Sequence, residues 1–166
     1  MATKHGIRLS VLGALGVAVS SYGVYVKRQK LAWKDGYSAL CDVERFSCSQ
    51  VLTSEYSSLL AYWGIVEKRS LLDVSNAHLG VLAYSVFMLY PVVRMAPYHA
   101  EFYCVVSCCA TTVMLYLAYI LAFVLQDFCL VCIATYVVTG GLLWNSLALV
   151  RARRDGLRTV KANKSE

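Results

Sequence analysis

Proline and charge are both scarce in this chain, with two prolines and 16% charged residues among 166. Scarce charge excludes a natively disordered chain, which stays unfolded through high net charge and low hydrophobicity. A soluble domain is excluded by what fills the gap: 58% of residues are hydrophobic, leaving too little polar surface to cover so small a body. Acidic residues number ten against sixteen Lys and Arg, and the resulting +6 invites a nucleic-acid reading until it is located along the chain. Histidine is limited to three residues, none beside a cysteine, which disfavours a zinc site.

What is abundant is long apolar sequence. Residues 9–26, 74–93, 102–126 and 128–150 are charge-free runs of 18, 20, 25 and 23 residues. Each is long enough to cross a bilayer, which takes roughly 20 apolar residues. The expected fold is therefore an all-α membrane protein, one integral domain over 1–166, built as a four-transmembrane-helix bundle. Its largest extramembrane piece is 27–73, a loop and short-helix cap between the first two spans. Connections at 94–101 and 127 permit only tight turns, which makes the last three helices antiparallel neighbours. The 18-residue core of the first run and its basic trailing flank favour a retained helix over a cleaved signal peptide.

Charge then orients the bundle. The tail 151–166 carries six Lys and Arg against Asp155 and Glu166, so it belongs in the cytosol, with both termini on that side. Segment 27–73 and the Asp127 turn consequently share the opposite, oxidising face. Lys27, Arg28, Lys30 and Lys34 outnumber Lys4 and Arg8 across the first run, so a three-span form with that helix reversed is the alternative. Nucleic acid is not among the expected partners; the bilayer is.

Seven cysteines fall into two groups. Cys104, Cys108 and Cys109 lie inside the third run, where free cysteine packs as a small apolar residue. Cys41, Cys48, Cys129 and Cys132 map to the oxidising face. Cys129 and Cys132, three apart at the opening of the fourth helix, are related by about 300° of rotation and about 4.5 Å of rise, so their thiols share a face. Unpaired amides at a helix start favour the thiolate. Cys41 and Cys48 make a second dithiol on the loop, and two pairs on one face suggest thiol–disulfide exchange. A static loop staple is the alternative for Cys41 and Cys48. Tyr136 continues the Cys129, Cys132 stripe inward, as a membrane-interface anchor or as a hydrogen-bond donor to a bound carbonyl. Asn76, at the opening of the second helix, is either an N-cap or a binding residue. Gly140 and Gly141 make room for an apolar ligand or for helix packing.

These residues resemble a known family. Leu40-Cys41-Asp42-Val43, Ser47-Cys48-Ser49, Ser75-Asn76, Tyr119-Ile120-Leu121 and the run Asp127-Phe-Cys-Leu-Val-Cys-Ile-Ala-Thr-Tyr136 are similar to the vitamin K epoxide reductases of animals, over about residues 20–150. The resemblance implies an endoplasmic reticulum membrane enzyme that reduces vitamin K epoxide to the quinone and the quinone to the hydroquinone. Cys132 would attack the substrate and Cys129 would be its disulfide partner. Cys48 would exchange with Cys129, and Cys41 would pair with Cys48 to take electrons from a thioredoxin-like lumenal oxidoreductase. Asn76 and Tyr136 would hydrogen-bond the ring oxygens, with Leu52 and Leu79 lining the substrate site. The pair at 135–136 would also contact 4-hydroxycoumarin anticoagulants. No metal and no tightly bound cofactor are implied, only the quinone as substrate and a reducing dithiol as donor, and the expected state is a monomer. The chain departs from the family in having six rather than seven residues between the loop cysteines. It also has leucine at 52 in place of phenylalanine, and a different stretch over 55–64 in the expected lid. Two other functions compete: the same scaffold run toward oxidation, generating disulfides in secretory proteins, and a non-enzymatic tetraspan adaptor.

Overall fold

The computed structural model describes residues 2–33, 38–42, 47–58, 75–95 and 98–164, and all of their regular structure is helical. Helix α1 covers Ala2–Trp33, and a short α2, Cys48–Thr53, is followed by a 3-10 turn at Glu55–Ser57. Then come α3 (Asn76–Met88), α4 (Tyr90–Val93), α5 (His99–Tyr119) with a π-helical extension at Ile120–Leu125, and α6 (Leu130–Lys164). The expected helix start at Val74 and the lid stretch 59–64 lie outside the described residues.

Charge-free runs underestimate the outer helices. The expected 9–26 is the middle of a 32-residue helix, and the expected 128–150 belongs to one of 35 residues that carries the basic tail with it. Lys, Arg and Ala flank both runs and are good helix formers, so loss of hydrophobicity does not end the helix. Helix α1 accordingly continues past Lys27 to Trp33. The expected 74–93 span departs in the other sense. It breaks at Leu89 because Pro91 has no N–H and its ring crowds the carbonyl one turn back. Three helices among the described residues are long and apolar enough to cross a membrane, over Lys4–Trp33, His99–Leu125 and Leu130–Thr159.

Helix α1 is the spine: α3 and α6 both pack on it, and α5 packs on α6 and, through Tyr103, on α3. Contact with α3 is close because Gly13 faces the α3 backbone at Tyr84, Phe87 and Met88, and Gly16 faces the Tyr84 ring, where a Cβ would collide. Gly141 meets the Leu12 side chain and is therefore a packing residue, whereas Gly140 has open space around it; neither lines the cavity described below. Two buried clusters result. One, around Leu9, Phe87, Tyr103 and Leu142, fills the bundle, with the Tyr103 hydroxyl donating to the Val86 carbonyl (2.9 Å) beside the Leu89 break. The second, around Val26, Val51, Leu121 and Val131, lies at the other end and contains Cys41, Cys48 and Cys129.

Candidate functional site

Helix α6 starts from a sharp reversal. The π-helical extension of α5 ends at Gln126, which takes the left-handed conformation (φ 53°), and the chain turns through Asp127 and Phe128. Cys129 is then the residue just before α6: its carbonyl accepts the first helical bond, from Ile133 N–H at 3.0 Å. The sequence expectation of Cys129 within the first turn is thus shifted by one position. Its sulfur acts as the cap, accepting the Cys132 N–H at 3.3 Å, so an N-cap contact normally made by oxygen is made here by the thiol. Cys129 is fully buried and Cys132 partly so, and both are free thiols. The Cys129 thiol is held below its ordinary range, first by the thiol hydrogen bond from Cys132 and then by the N–H groups of Cys132 and Val131. Burial and the Asp42 carboxylate oppose them.

The loop pair is brought to this point by backbone. Cys41 and Cys48 are bonded to each other, with Cα atoms 6.0 Å apart. Asp42 organises the turn, its two carboxylate oxygens accepting Ala39 N–H (2.8 Å) and Ser49 N–H (2.9 Å). The Ser49 bond caps α2, whose own N-cap residue Ser47 makes no side-chain cap. Burial raises the Asp42 carboxyl pKa, but the Ser49 and Ala39 N–H groups outweigh it and the value is lowered. Ser47 N–H donates to the Phe128 carbonyl at 3.0 Å. The residue before Cys48 is therefore tied to the residue before Cys129. Cys41, Asp42 and Cys48 also gather three potential metal-ligand atoms, but the two sulfurs are joined and the carboxylate serves two amides.

Beside the thiols is a cavity of about 410 Å³. Leu52, Tyr56, Ser57, Asn76 and Leu79 line it at the end where α2 finishes and α3 begins. Cys132, Thr135, Tyr136 and Thr139 form the α6 wall, and Tyr84, Phe87, Val106, Val113 and Met114 continue it between α3 and α5. Five residues expected at the substrate (Cys132, Asn76, Tyr136, Leu52 and Leu79) thus share one space, while Cys129 lies outside its lining beside the loop pair. Asn76 is not the N-cap of α3; Ser75 is, its hydroxyl accepting Ala77 N–H. The Asn76 amide instead donates to the Tyr56 carbonyl at 2.7 Å, and Lys27 Nζ reaches Ser57 and Ser58 hydroxyls at 2.9 and 3.2 Å. Together they hold the 3-10 turn over the cavity mouth.

Some contributors escaped sequence reasoning. Tyr84 is buried in the cavity wall, its hydroxyl 2.7 Å from Thr139 Oγ1 and 3.2 Å from the Thr135 carbonyl. A tyrosine in the middle of a charge-free run is the signal that could have found it, since a buried hydroxyl needs a partner. Cys109 also lines the cavity, and with Cys108 it is exposed on α5 rather than packed in the protein interior.

Comparison with known proteins gives matches over most of the chain. The sequence profile described as the vitamin K epoxide reductase family matches residues 7–147. The chain is 37% identical over 133 residues to the vitamin K epoxide reductase complex subunit 1 of Rattus norvegicus, covering 77% of this chain and 80% of that one. To the Mus musculus protein of the same description it is 37% identical over 142 residues, covering 82% and 84%.

Proposed function

The chain belongs to the vitamin K epoxide reductase family, and we propose that it reduces vitamin K epoxide to the quinone, and the quinone to the hydroquinone, by the Cys129/Cys132 dithiol. The observation that carries this is the apolar cavity in which Cys132, Asn76 and Tyr136 meet, with Cys129 hydrogen-bonded behind Cys132. A quinone with an isoprenoid tail dissolves in lipid, and a cavity between helices with thiols at its end suits such a substrate.

In the proposed cycle the Cys132 thiol attacks a ring carbon, its proton leaving for the epoxide oxygen as the attack proceeds, while the acidified Cys129 stays a thiolate. The epoxide C–O bond opens, and the oxyanion is met by donors from Asn76 and Tyr136. Cys129 then attacks the Cys132 sulfur. The C–S bond breaks, its electron pair passes to the ring, and the ring oxygen departs as water. The epoxide is reduced by two electrons and a Cys129–Cys132 disulfide remains. Reduction of the quinone follows the same accounting, two thiols becoming a disulfide as two protons and two electrons reach the ring. Reduced Cys48 reopens the disulfide through Cys129, and Cys41 resolves the mixed species, passing the oxidation to the loop pair. A bonded loop pair beside two free inner thiols corresponds to the point in this cycle after electrons have moved inward.

The remaining assignments belong to the same proposal. The enzyme is a monomer of the endoplasmic reticulum membrane, with termini cytosolic and redox cysteines lumenal. Helices α3 and α4 together serve as its fourth span, and a thioredoxin-like lumenal protein recharges Cys41/Cys48. Leu52 and Leu79 contact the quinone, and 4-hydroxycoumarins compete at Thr135 and Tyr136. Differential thiol alkylation read by mass spectrometry, with and without vitamin K epoxide, tests the chemistry. Epoxide should convert free Cys129 and Cys132 to a disulfide in the wild type. Epoxide turnover by a Cys132→Ala protein would overturn it.

A further inference from the structure

Helices α3 and α6 face each other across the cavity. Asn76 is the first residue of α3, and Tyr136 lies in the second turn of α6. Each wall packs chiefly on α1, and a side chain of α3 bridges the gap between them. The Tyr84 hydroxyl, from the middle of α3, lies 2.7 Å from Thr139 Oγ1 and 3.2 Å from the Thr135 carbonyl, while Thr139 Oγ1 lies 2.8 Å from that same carbonyl. Two hydroxyl hydrogens and three oxygens close the network. Either Thr139 donates to the carbonyl and Tyr84 to Thr139, or Thr139 donates to Tyr84 and Tyr84 to the carbonyl. In both arrangements every donor is used, so nothing polar is left to solvate an apolar tail passing the site. The Tyr84 ring is held from behind by Gly16 of α1, which leaves no room for a side chain there. Its far end grips the turn whose next residue is Tyr136.

We propose that Tyr84 and Thr139 are positioning residues for the quinone ring: their shared network fixes the separation between the α3 wall bearing Asn76 and the α6 wall bearing Cys132 and Tyr136, and so sets which ring fits between them. This rests on the assignment of the cavity to a quinone. It does not require Tyr84 to touch the reacting atoms.

The experiment is steady-state reduction with a small dithiol donor, comparing naphthoquinone and benzoquinone substrates that carry the same tail, on the full chain in membranes. Tyr84→Phe keeps the ring on Gly16 and removes the crossing hydroxyl. With the naphthoquinone, kcat per folded molecule should fall about tenfold while KM moves less than about twofold, since a small misplacement of reacting groups lowers rate more than binding. The preference for naphthoquinone over benzoquinone should shrink by a similar factor. Thr139→Val should do the same, Thr139→Ser should restore wild-type values, and the double variant should lose no more than either single one. Unchanged kcat and ring preference in Tyr84→Phe, or a lower melting temperature with full activity per folded molecule, would overturn the inference. Should Tyr84→Phe fail to fold, the contrast between Val and Ser at 139 decides: equal activity in those two is the overturning result. Cys132→Ala is run alongside. Turnover there would remove the cavity assignment itself, whereas an inactive Cys132→Ala beside an unaltered Tyr84→Phe would remove only the positioning role.

Discussion

The Ser47 amide donates to the Phe128 carbonyl at 3.0 Å, so a main-chain bond ties the residue before Cys48 to the residue before Cys129. In the relay proposed above, Cys48 and Cys129 start from within one buried cluster, so their exchange should not require transport of the loop. If so, the step sensitive to the loop is recharging from outside. Cys41→Ala should retain more than about half of turnover with a small dithiol and lose about a hundredfold with a protein donor, because only the second route needs the outer thiol to accept a bulky partner. Equal losses with both donors would place Cys41 in the structure of the site instead.

Cys129 is acidified first by the Cys132 thiol, so its acidity should depend on that neighbour. Alkylation of Cys129 should follow a thiolate titration below the ordinary thiol range in the wild type. In Cys132→Ala the curve should move to higher pH, because the strongest stabilising donor is gone while burial and the Asp42 charge still oppose ionisation. An unmoved curve would show that the helix-start amides alone set the acidity.

Asp42 carries the other cap. Asp42→Ala should cost about 1 kcal/mol, as loss of an N-cap acceptor does, and should speed hydrogen exchange at the Ala39 and Ser49 amides, with Asp42→Asn intermediate. The carboxyl is held below its unfolded value, so its contribution is full above the unfolded pKa near 3.8 and is lost as pH falls through the lower folded value. Acid should therefore loosen the loop pair in the wild type below that range and leave Asp42→Ala unchanged there.

The glycines divide cleanly. Gly16→Ala places a methyl against the Tyr84 ring and should destabilise by roughly 1–3 kcal/mol, as overpacking does. Gly140→Ala has open space and should be neutral or slightly stabilising through better helix propensity. Thermal unfolding in detergent separates them, and comparable effects at both sites would contradict the packing described here.

Much of this was legible in the sequence, for identifiable reasons. Long apolar runs and the spacing of Cys129, Cys132 and Tyr136 are local signals that survive folding, and the grouping of Cys41, Cys48, Cys129 and Cys132 reappears as one cluster at one end of the bundle. Helix ends were not legible, because Lys27–Lys30 and Arg151–Arg158 end an apolar run without ending a helix. The break at Leu89 was signalled only by Pro91 two residues later. Tyr84 was missed because its importance lies in Thr139, 55 residues away, and no periodicity connects them. Asn76, readable from sequence as a cap or a binding residue, is not the cap; it lines the cavity and holds the Tyr56 carbonyl.

Helix α6 runs unbroken for 35 residues from the reactive thiols to the basic end. At about 1.5 Å per residue that is about 52 Å of rigid rod against roughly 30 Å of hydrocarbon. On the topology proposed above, which puts Arg151, Arg154 and Arg158 at the cytosolic headgroups, the rod would act as a depth gauge for Cys132. Deleting one helical turn between Gly141 and Arg151 would draw the thiols about 5 Å toward the bilayer interior, changing how much water and donor protein can reach them while leaving every residue of the site in place.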